Sequence, residues 1–223
     1  MGTYRVSDIY SCIQGEGAQT GVAMVLLRLQ GCAVGCPWCD TKHTWRVDPA
    51  QQATTIHEAL GETERYAVIT VDAIVDYIRR HHPGPRWVLV TGGEPAAQDL
   101  QPLVAALHGA GYRTALETSG TETGHIGVDF DWVCVSPKIN MPGGRRVLPE
   151  AVAAADEIKH VVGRPQDIVA LDDLLATVHI KETAQICLQP VSMSRTATTL
   201  CIQTVQERGW RLSVQMHKYL DQR

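Results

Sequence analysis

Apolar residues fall along this chain in short runs that alternate with longer stretches of helical spacing. Residues 22–29, 87–90, 112–117, 132–136, 157–161, 184–189 and 211–215 read as strands, and 5–13 adds one ahead of them. Between the runs, Val71, Ile74, Val75 and Ile78 share one helical face, as do Leu100, Leu103, Val104 and Leu107. Ile168, Leu171, Leu174, Leu175 and Val178 do the same after a Pro165 start, and 149–156 and 195–208 are further helical segments. Strand–helix alternation predicts a parallel sheet with helices packed outside it. A closed eight-unit barrel typically takes about 250 residues. The chain has 223 residues, and its roughly six units fit an α/β fold of the partial, open (β/α)6 barrel type, with extra strands at both termini. The reading is one domain, 1–223, with a weakly patterned insertion at 41–69 that holds a short helix around 56–66.

Composition adds exclusions. Hydrophobic residues make up 44% and charged residues 20%, as in a folded soluble domain. A net charge of -4 argues against a broad nucleic-acid surface and gives no membrane attraction. No apolar run approaches a membrane span, and the first residues lack the apolar core of a signal peptide, so a cytoplasmic location is expected. Aromatics are only 5%, which leaves the core to Val, Leu, Ile and Ala.

The seven cysteines change the picture more. An odd number without an export signal argues for thiol or metal chemistry over a disulfide framework. Cys12, Cys134, Cys187 and Cys201 are scattered and fit apolar roles in strands and a helix. Cys32, Cys36 and Cys39 sit together in a loop after the first core strand, spaced Cys-x3-Cys-x2-Cys. Gly31, Gly35 and Pro37 prevent a regular helix there, so the loop can turn three thiolates inward. Three thiolates can hold three corners of a [4Fe–4S] cube and leave one iron open. A structural zinc site completed by His43 is the alternative, although such sites usually come as paired knuckles.

Two further strand ends carry polar motifs: Thr91-Gly92-Gly93-Glu94-Pro95 and Ser136-Pro137-Lys138. With the cysteine loop, they resemble the radical S-adenosylmethionine (SAM) superfamily. That resemblance implies a [4Fe–4S] cluster on Cys32, Cys36 and Cys39 whose open iron chelates SAM, and generation of a 5′-deoxyadenosyl radical. It places Trp38, Asp40, Gly93, Glu94, Ser136, Pro137 and Lys138 at the SAM site. Taken alone, Asp40 is an ordinary cap of the loop turn and Lys138 an ordinary solvated lysine.

The N-terminal segment narrows the reaction. Ile13-Gln14-Gly15-Glu16-Gly17, Arg28, Cys-x3-Cys-x2-Cys-Asp-Thr, Glu117-Thr118-Ser119-Gly120, Gln189-Pro190 and Gln215-Met216-His217-Lys218-Tyr219 together resemble the 7-carboxy-7-deazaguanine synthases over essentially the whole chain. The resemblance implies conversion of 6-carboxy-5,6,7,8-tetrahydropterin to 7-carboxy-7-deazaguanine by C6 hydrogen abstraction, ring contraction and ammonia loss, on the route to queuosine and other deazapurines. SAM would be regenerated, and Mg2+ would bind the substrate carboxylate and Thr41. Substrate contacts would come from Ile13, Gln14, Gly15, Glu16, Arg28, Thr91, Gln189 and His217. A carboxylate and an amide suit the amide-guanidine edge of a pterin, and Arg28 suits its carboxylate. His217 stands equally as an acid–base group or a structural histidine, and Glu117 as a pocket group or a salt-bridge partner. The family also implies a homodimer and an external electron donor of the flavodoxin or ferredoxin type. Glycyl-radical activating enzymes, with the same cysteine spacing and a protein substrate, are the alternative.

Overall fold

The computed structural model describes residues 2–61, 63–191 and 193–220. Among these residues ten strands form one sheet in the order β10-β9-β8-β7-β6-β5-β2-β1-β4-β3. β1 (Thr3–Ile13) runs antiparallel to β2 (Ala23–Leu29). β2 then pairs in parallel with β5 (Trp87–Gly92), and the parallel run continues through β6 (Arg113–Thr118), β7 (Trp132–Val135), β8 (Glu157–Val162) and β9 (Gln185–Pro190). Those six core strands curve as an open, partial barrel that the sheet does not close. The two-residue β10 (Arg211–Leu212) extends one edge in parallel.

Helices cover the convex face. α2 (Val71–His81), α3 (Gln101–Gly109), α5 (Pro165–Thr177) and α6 (Arg195–Arg208) lie where the apolar spacing predicts. α4 is shorter than expected, Pro149–Ala153. The chain leaves the helix there, and Asp156 accepts the backbone N–H of Val133 at 2.8 Å. The β6–β7 connection, 119–131, carries no helix among the described residues.

Two expectations are corrected. The helix expected around 56–66 is only α1 (Ile56–Ala59), and Tyr66 opens a strand, β4 (Tyr66–Thr70), antiparallel to β1. Gly61, at φ +91°, breaks the helical path, and the apolar, β-branched run Tyr66-Ala67-Val68-Ile69-Thr70 prefers the pleated edge. β4 in turn carries the short β3 (Gln52–Ala53). The strand expected at 211–215 stops at Leu212: after Ser213 donates to the Leu188 carbonyl at 2.9 Å the chain turns to the β1–β2 loop, where Met216 donates to the Gly15 carbonyl at 2.9 Å. The chain then leads into α7 (His217–Leu220).

The period of two along each strand decides which residues reach the site. Val25, Leu27, Leu29, Val88, Val90, Leu116, Ile158 and Leu188 point to the convex side, in the main core with α2, α3 and α5. Met24, Leu26, Leu89 and Ala115 form a smaller cluster on the concave side. One step further along the same concave rows stand Arg28, Thr91, Glu117, Lys159 and Gln189. They line one cavity near the carboxyl ends of the parallel strands, where α/β barrels gather their chemistry. On the convex side Ile74 of α2 is fully buried. Ile74→Val is expected to cost about 1 kcal/mol in urea unfolding without affecting ligand affinity. A neutral result would show that α2 is not packed as described.

Candidate functional site

The cavity measures about 540 Å³, in the range of small-molecule sites. One wall is the cysteine loop. Its backbone is fixed at both roots: Gly31 and Cys32 donate to the carbonyls of Thr44 and Trp45 at 2.7 and 2.9 Å, and Cys39 donates to Cys36 at 3.1 Å. Gly143 donates to Val34 at 3.0 Å, and a Cβ on Gly143 would lie 1.9 Å from the Ala33 carbonyl oxygen. Two loops distant in sequence thus meet backbone to backbone.

The three thiols of this loop line the cavity together. Burial pushes the Cys32 thiol up to about 11 and raises that of Cys36, where Lys138 opposes the effect. The indole N–H of Trp45 donates to Cys39 Sγ at 3.3 Å. Among the described residues, no three His, Cys, Asp or Glu side chains close on a single-ion position. His43 is not in the cavity lining, so the four-ligand zinc set is not assembled there. A cube spreads its thiolates more widely than one ion does. Three thiols along one wall, with an N–H donor on one sulfur and a lysine beside another, fit a cluster.

Trp38, Asp40, Thr41, Gly93, Ser136 and Lys138 border the same space, with Trp38 at the rim, 42% exposed. Lys138 donates to Ser136 Oγ. Burial pushes the Lys138 ammonium down, partly offset by Cys36. Thr41 Oγ1 lies 3.7 Å from Cys39 Sγ. Two expected SAM-site residues stand outside the lining: Pro137 and Glu94. Glu94 is buried, and its carboxylate accepts from Ala96 N, Thr118 Oγ1 and Ser119 N at 3.0, 2.6 and 2.7 Å. Its side chain therefore ties the end of β5 to the end of β6. At the same turn Gly93 brings backbone to backbone: a Cβ there would sit 2.4 Å from the Gly31 carbonyl oxygen.

The opposite wall is built by the β1–β2 loop and the segment after β10. Ile13, Gln14, Gly15, Glu16, Arg28, Thr91, Gln189 and His217 all line the cavity. Arg28 reaches Tyr10 Oη at 3.4 Å. Gln189 is buried, with its Oε1 occupied by Ser213. Gly17 donates to Ser213 Oγ at 2.8 Å, and Met216 donates to the Gly15 carbonyl at 2.9 Å.

Among the charged and amide groups lining the cavity, Lys159, Gln215 and Lys218 carry no role in the expected set. Lys159, on β8, donates to Glu16 Oε2 at 2.5 Å and to Glu117 Oε1 at 3.0 Å, with its side chain 5% exposed. Gln215 donates to Glu16 Oε1 at 2.9 Å, and Gln14 to Glu117 Oε1 at 3.2 Å. Burial alone would push the Glu16 carboxyl up. The Lys159 ammonium outweighs it and brings the group down to about 2. Lys159 is held well above its ordinary value by Glu117 and Glu16, against the effect of burial. Glu117 is thus both things it could be, a cavity group and a salt-bridge partner. One signal for Lys159 was available: a lysine at an inward position of an apolar strand needs a partner.

Comparison with known proteins agrees with this geometry. The Radical SAM superfamily model matches residues 26–129. The 7-carboxy-7-deazaguanine synthase of Escherichia coli (strain K12) is 44% identical over 98% of both chains. That of Buchnera aphidicola subsp. Schizaphis graminum is 35% identical over 97% of this chain and 98% of the relative. The crystal structure of QueE from Escherichia coli superposes with a TM-score of 0.89 at 43% identity, covering 96% of this chain and 95% of that one. No helix among the described residues is long and apolar enough to cross a membrane. The likeness runs over nearly the full length of both chains, in sequence and in fold, and the chain belongs to the 7-carboxy-7-deazaguanine synthase family of radical SAM enzymes.

Proposed function

We propose that the chain converts 6-carboxy-5,6,7,8-tetrahydropterin to 7-carboxy-7-deazaguanine by C6 hydrogen abstraction, ring contraction and ammonia loss, in queuosine and deazapurine biosynthesis. The observation that carries this reading is the pairing of an acceptor array, Glu16 and Glu117 on Lys159, with the Arg28 guanidinium in one cavity. A pterin-6-carboxylate has the complementary layout, a donor-rich ring edge and an anionic group.

Family membership implies a [4Fe–4S] cluster and SAM, and the residues present fit them. When bound, the two supply hydrogen-abstracting radical chemistry. Cys32, Cys36 and Cys39 would hold the cluster, while Trp38, Asp40, Gly93, Ser136 and Lys138 would flank SAM. Glu94 and Pro137 would act from behind, by shaping the strand ends. Gln14, Glu16 and Glu117 orient the ring edge, and Arg28 holds the carboxylate with a planar fork. Thr91 lies on the wall between the two sets, where its hydroxyl donates to Glu117 Oε2 at 3.4 Å. Thr41 would offer a hard oxygen to Mg2+, with the substrate carboxylate and waters completing the shell. His217, packed against Gly15, is placed to hold or move a proton at the substrate edge during ammonia loss. The same reading includes one domain with 41–69 as an insertion, a homodimer, and a flavodoxin or ferredoxin as donor.

The test is anaerobic turnover of reconstituted protein with SAM, Mg2+, reductant and the tetrahydropterin. 7-Carboxy-7-deazaguanine should form without stoichiometric loss of SAM, and its absence would overturn the reading. Arg28→Met is expected to raise KM about tenfold or more, since a charge-assisted bidentate contact is lost. An unchanged KM would remove Arg28 from the carboxylate site.

A further inference from the structure

We infer that Lys159 is a specificity-determining positioning residue: it holds Glu16 and Glu117 together as acceptor-only carboxylates, so that the cavity takes a ring edge of N–H donors and turns away the same ring carrying an oxo group in place of the amino group. This rests on the pterin reading proposed above.

The geometry is unusual for a mere ion pair. One buried ammonium serves two carboxylates from segments distant in sequence, Glu16 in the loop before β2 and Glu117 at the end of β6. Both carboxylates line the cavity, so Lys159 acts on ligand through them. Gln215 and Gln14 donate to oxygens of the same two groups, which fixes their planes. An ionised carboxylate only accepts hydrogen bonds, whereas a protonated one also donates. The remaining lone pairs can therefore meet only donors.

The surroundings make Lys159 hard to replace. Glu157 lies two residues back on the same face, with Oε2 taken by Ala18 N at 3.1 Å and Trp132 Nε1 at 3.3 Å, and with Oε1 buried without a partner. The Cys134 thiol lies close beneath and is pushed far up by burial and by Glu157. Lys138, the neighbouring cation, bonds to Ser136, and His217 is near enough to Glu16 to favour its ionised form. Without Lys159, two half-buried carboxylates would share one site beside a third. Like charges so placed cannot all stay ionised, and one takes up a proton. That proton converts an acceptor into a donor and inverts what the wall recognises. Stability is a poor account of the arrangement, since a buried ion pair is often no better than an apolar replacement.

The experiment measures equilibrium binding of 6-carboxypterin and 6-carboxylumazine, its 2-oxo counterpart, to anaerobically reconstituted enzyme with SAM. Wild type is expected to prefer the amino ring by about tenfold or more. Lys159→Met should weaken 6-carboxypterin by about tenfold or more and bring the two ligands within about threefold of each other. Lys159→Arg, which keeps the charge, should retain the preference for the amino ring. If Lys159→Met does not fold, Lys159→Gln, which removes the charge but keeps a polar side chain against both carboxylates, serves with the same loss of selectivity expected. Wild-type selectivity in whichever of these two variants folds overturns the inference, as does a wild type that binds both rings equally. A wild type that binds neither ring defeats the substrate reading itself, which separates the two failures.

Discussion

Cys36→Ala protein is expected to purify folded, colourless and inactive. The change removes a thiol that is 8% exposed but leaves the loop's own bonds intact. Gly31, Cys32, Cys39 and Gly143 hold that loop through backbone groups, which need no metal. What is lost is one of the three sulfurs that could carry a cube, and two thiolates leave a second iron without a protein ligand. Iron and sulfide assays after anaerobic reconstitution should return near-background values, and turnover should be undetectable. Far-ultraviolet circular dichroism should match unloaded wild type. Global unfolding of the variant would instead indicate a metal on which folding depends, in the manner of zinc modules. A brown, active variant would remove Cys36 from the cluster.

The second large effect is on the scaffold of the same site. Gly92 ends β5 at φ +137°, in a region that side chains rarely enter. A Cβ there would lie 2.2 Å from the carbonyl oxygen and 2.3 Å from the nitrogen of Leu29, on the adjacent β2. Both contacts are backbone, so no side chain can move aside. Gly92→Ala is expected to destabilise the unloaded protein by about 3 kcal/mol or more, from strain and the forced parting of two central strands. Urea unfolding measures it, and wild-type stability would show that β2 and β5 can separate freely. Function follows the same path. Gly93 donates to Leu29 at 2.9 Å and Glu94 to Gly31 at 2.8 Å, so the turn after Gly92 rests on the root of the cysteine loop. Cluster content should fall along with stability.

The strand period made much of this site readable. Arg28, Thr91 and Gln189 fall at inward positions of strands that the apolar runs mark out, and the cysteine loop announces itself by spacing. The bonds of Glu94 to Thr118 and Ser119 are not legible locally, because a carboxylate's partner across a sheet leaves no trace in local sequence. Lys159 leaves a trace in the spacing: in Glu157-Ile158-Lys159-His160-Val161 two of the three odd positions, Glu157 and Lys159, are charged where a concave wall is expected. Tyr66 closes the helix expected at 56–66, in a segment whose apolar pattern is weak. Its alternation fits an edge strand equally, and only pairing with β1 decides between them.

The wall opposite the cysteines has a consequence for the order in which the protein can be made. Glu16 is bonded to Gln215, 199 residues away, and Gly17 to Ser213, 196 residues away. Strands β2 to β9 end at Pro190, so all of them leave the ribosome before Ser213 does. The barrel can therefore assemble early, while the loop that reads the substrate waits with its carboxylate held by Lys159 alone. Closing so long a loop is entropically costly when nothing else holds its ends, but a preformed barrel already brings them together. Synthesis thus delivers the scaffold first and the selective pocket last.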